Sequence, residues 1–207
     1  QFLKELDKLG LAENTIVILT SDNGPVLDDG YQDDAVELVG DHKIAGPLRG
    51  GKTSMFDGGT RIPFMLRWPA KVKPQVSDVF VCQMDLLASF AFLLGQTYPD
   101  KVDSENTLDA FLGKSKKEVV QPYYYVQFDN HATGYRGLRT STHTFAVHAT
   151  NGKIDETVLF DRTKDPYQMD NIAGQSPRLV RQFNKQLKAW LLHTNDSFAH
   201  YLETVTK

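Results

Sequence analysis

The stretch Thr15-Ile-Val-Ile-Leu-Thr20 constrains the fold of this chain more than any other. It is an unbroken apolar run of strand length, rich in β-branched residues, and predicts a strand covered on both faces, as in a parallel sheet. Before it, Phe2, Leu3, Leu6 and Leu9 share one face at helical spacing, and Gly10 supplies a stop. A helix, a short turn and such a strand predict an α/β sheet of βαβ type. The 207 residues suffice for one large domain or two small ones. With 41% hydrophobic and 24% charged residues the chain is an average globular one, which excludes disorder, collagen-like repeats and coiled coil. A net charge of -3 argues against a nucleic-acid partner. The longest apolar runs, such as Leu86 to Leu94, fall far short of the roughly 20 residues that cross a bilayer, so no membrane span is expected. The opening residues read as a helix already running, without a signal peptide or cap, and the chain is expected to begin partway through a larger protein.

From Ser21 to Thr60 the sequence is rich in glycine and carboxylates without a sustained period, and reads as a long functional loop. Arg61 to Trp68 predicts a second strand, with Pro63 near its start or at an unpaired position. Asp85 opens or caps a helix over Leu86 to Leu94, closed by Gly95, whose nearly all-round apolar composition predicts burial. Residues 96–121 are polar, with a short helix at Asn106 to Leu112, and form the boundary candidate. Beyond them Tyr123 to Phe128, Tyr135 to Thr140, Thr144 to His148 and Glu156 to Phe160 predict an antiparallel meander. Ser176 and Pro177 supply an N-cap and first-turn proline for a helix striped by Leu179, Phe183, Leu187, Trp190 and Leu191. The expected division is therefore 1–100, a connector 101–121, and a small four-stranded sheet with one packed helix at 122–207. Charge divides similarly, net -5 over residues 1–100 and +2 over 101–207.

Several constellations could carry chemistry. Asp22 and Asn23 follow the strand-like run directly, where ligands gather in open α/β sheets, and their oxygens suit calcium or magnesium better than zinc. The competing reading is an Asx turn, and two oxygens fall short of the roughly 6 to 8 that calcium takes. Gly46 to Thr53, GPLRGGKT, matches the phosphate-cradling pattern G-x-x-x-x-G-K-[ST], but a buried strand before it and a helix after it are both missing. Lys52 on this glycine-rich loop remains a point charge suited to a tetrahedral oxyanion. His42, the other catalytic candidate, can be a general acid, a hydrogen-bond donor to substrate or simply a solvated side chain. Asp28, Asp29, Asp33, Asp34, Glu37 and Asp41 miss the EF-hand spacing and read as a solvated loop. His131, Arg136, Arg139, His143 and His148 lie on or beside predicted strands, where alternation puts some on the solvent face. Asn195-Asp-Ser197 matches a glycosylation acceptor, and Cys82 reads as a buried structural thiol.

Taken together, ILTSDNGP, GPLRGGKTSMFDGGTRIPFMLRWP, SDVFVCQMDLLASFAFLLG and LFDRTKDPYQMDNIA resemble, in order and spacing, the arylsulfatase-like (type I, formylglycine-dependent) sulfatases of the alkaline phosphatase superfamily. The resemblance implies part of an alkaline-phosphatase-like mixed or parallel sheet with flanking helices, followed by a small C-terminal α+β unit. It assigns Asp22 and Asn23 to a divalent cation, usually Ca2+ with Mg2+ possible, and Lys52 to the sulfate group. His42 has no secure counterpart and is carried as a pocket residue, while Arg61 reads as structural. The nucleophile of these enzymes is a formylglycine made within C/S-x-P-x-R, a motif that none of the 207 residues forms. The chain is therefore expected to be the C-terminal portion of a sulfatase, inactive by itself, whose partner is a sulfated small molecule or glycan. Family members are periplasmic, secreted or lysosomal. Two other readings stand: a phosphate or phosphonate ester hydrolase or transferase of the same superfamily, and a truncated binding module without catalysis.

Overall fold

The computed structural model describes residues 1–26, 28, 30–32, 34–99, 102–115, 122–130 and 133–206. In chain order the elements begin with α1 (Phe2–Lys8), β1 (Val17–Thr20), α2 (Ala35–Val39), α3 (Asp57–Thr60) and β2 (Phe64–Arg67). They continue through α4 (Leu86–Leu93), α5 (Leu108–Phe111), β3 (Tyr123–Asn130), β4 (Thr133–Arg139), β5 (His143–Thr150), β6 (Lys153–Asp161) and α6 (Pro177–His193). Two compact units result, Gln1–Ser21 with Pro63–Val120, and Asp22–Ile62 with Gln121–Lys207. The glycine-rich segment 22–62 thus packs with the C-terminal sheet, a grouping that composition does not show.

In the first unit β1 and β2 pair antiparallel, with Val17 opposite Arg67 and Thr20 opposite Phe64. The parallel partner expected for β1 is not seen among the described residues. Nor are both faces covered, since the facing pair Leu19 and Met65 is 61% and 54% exposed. Pro63 lies just before the ladder, where its missing N–H costs nothing. Asp7 pairs with Arg67 at 2.6 Å, and the Trp68 indole donates to the Glu13 carbonyl at 3.0 Å, tying α1 and the turn after it to the end of β2. The expected all-round burial of the helix after Asp85 is corrected. Ala88, Ser89 and Ala91 of α4 are buried, whereas Leu87, Phe92 and Leu94 are exposed, because α5 and its approach cover a single side. Asp85 does not cap its own helix. Its Oδ1 accepts the Glu105 N–H at 3.0 Å, while Ser104 Oγ accepts the Ala88 N–H at 2.9 Å. The orphan Ala88 N–H of the first helical turn is thereby satisfied from across the unit.

The second unit holds the expected meander, in spatial order β3-β4-β5-β6. One face carries Leu138, Phe145, Val147 and Leu159 against Phe183, Leu187 and Leu191 of α6 and against Phe198 and Leu202 beyond it. The Tyr124 and Trp190 rings stack with centroids 4.8 Å apart. The opposite face, bearing Ala146, Val158 and Phe160, packs on Met55 and Phe56 of the glycine-rich segment. Ser176 stands at the N-cap of α6 before Pro177, but its hydroxyl makes no capping bond.

Candidate active site

The site is built from main chain before side chains. After β1 the backbone passes Asp22 and Asn23 to Gly24, whose N–H donates to the Gly59 carbonyl at 2.8 Å. Gly58, one residue earlier, donates to the Arg49 carbonyl at 2.8 Å, and the Lys52 N–H donates to the Pro25 carbonyl at 2.8 Å. Three glycine-bearing strips are thus laced together, and the approach is too close for side chains. A Cβ at Gly24 would lie 1.8 Å from the Gly58 carbonyl oxygen, and one at Gly58 would lie 2.1 Å from that of Gly50. Of the glycines in the phosphate-loop pattern, Gly50 and Gly51 serve as packing surfaces, their carbonyl oxygens 2.1 and 2.3 Å from a Cβ at Gly58 and Gly59, whereas Gly46 has open space. No helix follows Lys52: Thr53 takes a left-handed φ of 69°, and the four-residue α3 begins only at Asp57.

This lacing bonds the main chain at Lys52 to Pro25, two residues beyond Asn23. Lys52 and Asp22 are exposed and Asn23 is half-buried. Asp22 Oδ1 accepts the Asn23 N–H at 3.0 Å, and the Asn23 amide nitrogen donates to the Gly24 carbonyl at 2.8 Å. Both side chains carry hard oxygens, the donor type that calcium and magnesium favour. Among the described residues no group of three or more His, Cys, Asp or Glu could hold a metal ion. The pair therefore suits a hard cation in donor type and supplies only part of a shell. His42 is exposed, its N–H donates to the Val39 carbonyl at 3.1 Å, and it borders a groove of about 340 Å³ lined also by Val36, Lys43, Ile44 and Leu48. That lining includes neither Asn23 nor Lys52.

Sequence reading missed Asp57. Its carboxylate is 1% exposed, with Oδ1 3.2 Å from Arg139 Nη2 and Oδ2 3.3 Å from Arg162 Nη2. The first contact is a charge pairing without hydrogen-bond alignment. The Asp57 N–H donates to Gln168 Oε1 at 2.7 Å, and the Gln168 amide donates to Thr144 Oγ1 at 2.8 Å. Arg49 donates to the Gln168 carbonyl at 3.0 Å and lies 3.7 Å above the Phe56 ring. Burial pushes the Arg162 guanidinium pKa down, and Asp57 opposes the shift. The available signal was a carboxylate among glycines within FDGGT, which reads as a turn without its distant partners.

Other expectations on the sheet divide. Arg136 and Arg139 fall on covered faces, at 1% and 9% exposure. Arg136 pairs with Asp196 at 2.9 Å beneath the Phe198 ring, because the turn after α6 folds over that face. His148 Nδ1 lies 2.6 Å from Asp155 Oδ1, and the His148 ring packs on Tyr135. Tyr135 bonds Glu156, and burial with that carboxylate pushes its phenol pKa up. His143 packs against Phe183. Cys82 is half-buried, short of the burial expected. Asp28 Oδ1 accepts the Gly30 N–H at 2.9 Å, an Asx turn within the stretch expected to be a solvated loop. Asp29, Asp33 and His131 lie outside the described residues.

The sulfatase family profile matches residues 1–96, and the profile described as N-sulphoglucosamine sulphohydrolase, C-terminal, matches residues 51–196. The chain belongs to the sulfatase family. It is 39% identical over 197 residues to the N-acetylgalactosamine-6-O-sulfatase of Bacteroides thetaiotaomicron, covering 91% of this chain and 39% of that protein. It is 28% identical over 203 residues to human arylsulfatase A, covering 87% of this chain and 38% of that protein. A solved sulfatase from a glycosaminoglycan-metabolism locus of B. thetaiotaomicron superimposes with a TM-score of 0.78 at 37% identity, over 91% of this chain and 41% of that one. The chain spans about two fifths of the length of these relatives.

Proposed function

We propose that the protein hydrolyses sulfate esters of carbohydrates or aryl alcohols, and that residues 1–100 form the C-terminal part of its catalytic domain and 122–207 a C-terminal subdomain. The observation that carries this reading is the hydrogen bond from the Lys52 N–H to the Pro25 carbonyl, which sets the lysine loop beside Asp22 and Asn23. Lys52 would lie against the sulfate oxygens, where a fixed cation stabilises charge that grows as the S–O bond breaks. Asp22 and Asn23 would hold calcium, with magnesium as alternative, in a shell completed by residues outside this chain. A bound divalent cation supplies Lewis-acid polarisation of the ester oxygen. We propose that a formylglycine outside these 207 residues provides the nucleophile, so that the 207 residues alone show no turnover. His42 would line the substrate pocket. A periplasmic, secreted or lysosomal location accompanies this reading, and no helix among the described residues is long and apolar enough to cross a membrane.

The test compares a sulfate ester and a phosphate ester of the same alcohol with the full gene product. The expected result is sulfate preference, and a loss of about 100-fold or more in kcat on Lys52→Ala, the scale of removing one preorganised electrostatic contact. Asp22→Ala should lower activity with a raised calcium requirement. Wild-type rates in both variants would sink the site. Preference for the phosphate ester would move the protein to the neighbouring class of hydrolases, and tight glycan binding without turnover would make it a binding module.

A further inference from the structure

We infer that Asp57, clamped between Arg139 and Arg162, is a positioning residue that sets Lys52 and Asn23 together through one glycine stack; this rests on the reading of those two residues given above. A carboxylate at 1% exposure persists only where opposite charges and hydrogen bonds replace water. Its partners are fixed by the sheet. Arg139 also donates to Thr144 Oγ1, to Thr60 Oγ1 and to the Met55 carbonyl, at 3.3, 2.6 and 3.0 Å. Arg162 also donates to the Thr140 carbonyl at 2.8 Å.

Asp57 opens α3, so anchoring it fixes the next two residues. Gly58 grips the Arg49 carbonyl, three residues before Lys52, and Gly59 accepts from Gly24, the residue after Asn23. One glycine pair therefore holds both arms of the proposed site. The stack has no slack, since a Cβ at Gly59 would also lie 2.3 Å from the Gly51 carbonyl oxygen. Displacing Asp57 moves Lys52 and Asn23 as one body, and a misplacement of about 1 Å in a catalytic arrangement costs on the order of 100-fold in rate. Asp57 itself has no room to touch substrate.

The experiment uses the full gene product as wild type, Arg162→Gln, Asp57→Asn, Lys52→Ala and the double variant Lys52→Ala/Arg162→Gln. It measures kcat and KM for a sulfate ester across calcium concentrations, and hydrogen–deuterium exchange at the Gly24 and Lys52 amides. Arg162→Gln leaves one guanidinium on Asp57. It is expected to lower kcat about 10-fold or more with little change in KM, to raise the calcium needed for half-maximal rate, and to speed exchange at both amides while Val147 in β5 stays protected. In the Lys52→Ala background the same change should add little, because residues acting as a unit are non-additive. Asp57→Asn should act in the same direction and more strongly; should it fail to fold, Arg162→Gln decides. Wild-type kcat, calcium requirement and exchange in Arg162→Gln would overturn the inference, as would a fully multiplicative loss in the double variant. If Lys52→Ala alone leaves the rate unchanged, the functional reading of Lys52 fails, and amide exchange at Gly24 and Lys52 then decides whether Asp57 couples the two arms.

Discussion

Asp155 on β6 accepts from Thr150 Oγ1 at 2.6 Å and contacts His148 Nδ1 at 2.6 Å. The Thr150 bond first, then the His148 bond, hold its carboxyl pKa below the ordinary carboxylate value. A carboxyl with a depressed folded pKa contributes stability that is fully present above its unfolded pKa and is lost as pH falls through the folded one. Thr150→Val should therefore raise the Asp155 pKa toward the ordinary range, so that this contribution disappears at a less acid pH; carbon-detected NMR titration of the carboxyl would read the shift. An unchanged midpoint would show that the hydroxyl does not hold the charge. At this scale the candidacy of Asp22, Asn23 and Lys52 could be raised from sequence, because it rests on residue type and on place in a loop. Asp57 was not, since its partners Arg162 and Gln168 lie 105 and 111 positions away. The burial of Arg136 was not legible for a related reason: alternation assigns a face of the sheet but not what covers it.

Among elements, α6 followed its sequence most closely. Its stripe predicted the buried side, and Phe183, Leu187 and Leu191 are indeed buried. Leu187 is fully enclosed, so Leu187→Ala should cost about 2–5 kcal/mol from lost transfer energy and the cavity left behind. Urea unfolding monitored by Trp190 fluorescence would measure it; a change below about 1 kcal/mol would mean the site collapses or is loosely packed. By contrast α4 was legible in position but not in environment. Apolar composition sets how much surface a helix can bury, while the elements packed against it decide how much it does bury. The β-branched run of β1 likewise predicted a strand but not its partner, since pairing direction depends on which strand arrives beside it.

At the scale of the molecule, packing assigns residues 22–62 to the same compact unit as the C-terminal sheet. Amides in that segment that are bonded across the glycine stack, those of Gly24, Lys52 and Gly58, should therefore share their slowest exchange with β4 and β5 rather than with β1 and β2, because cooperative openings follow compact units. Native-state exchange against denaturant would test this, and isotherms merging with those of Val17–Thr20 would contradict it. The sequence by itself determined the strand-end oxygens, the glycine-flanked lysine, the meander and the amphipathic final helix. Each follows from residue type and short-range period, which local sterics and hydrophobic patterning set without reference to the rest of the chain. Only the tertiary structure decided that the Lys52 loop is bonded to the chain just after Asn23 through stacked glycines, and that two arginines of the sheet region close on Asp57. A carboxylate can stay in the interior only where distant residues replace its water, and contacts over such separations leave no periodic trace in the sequence.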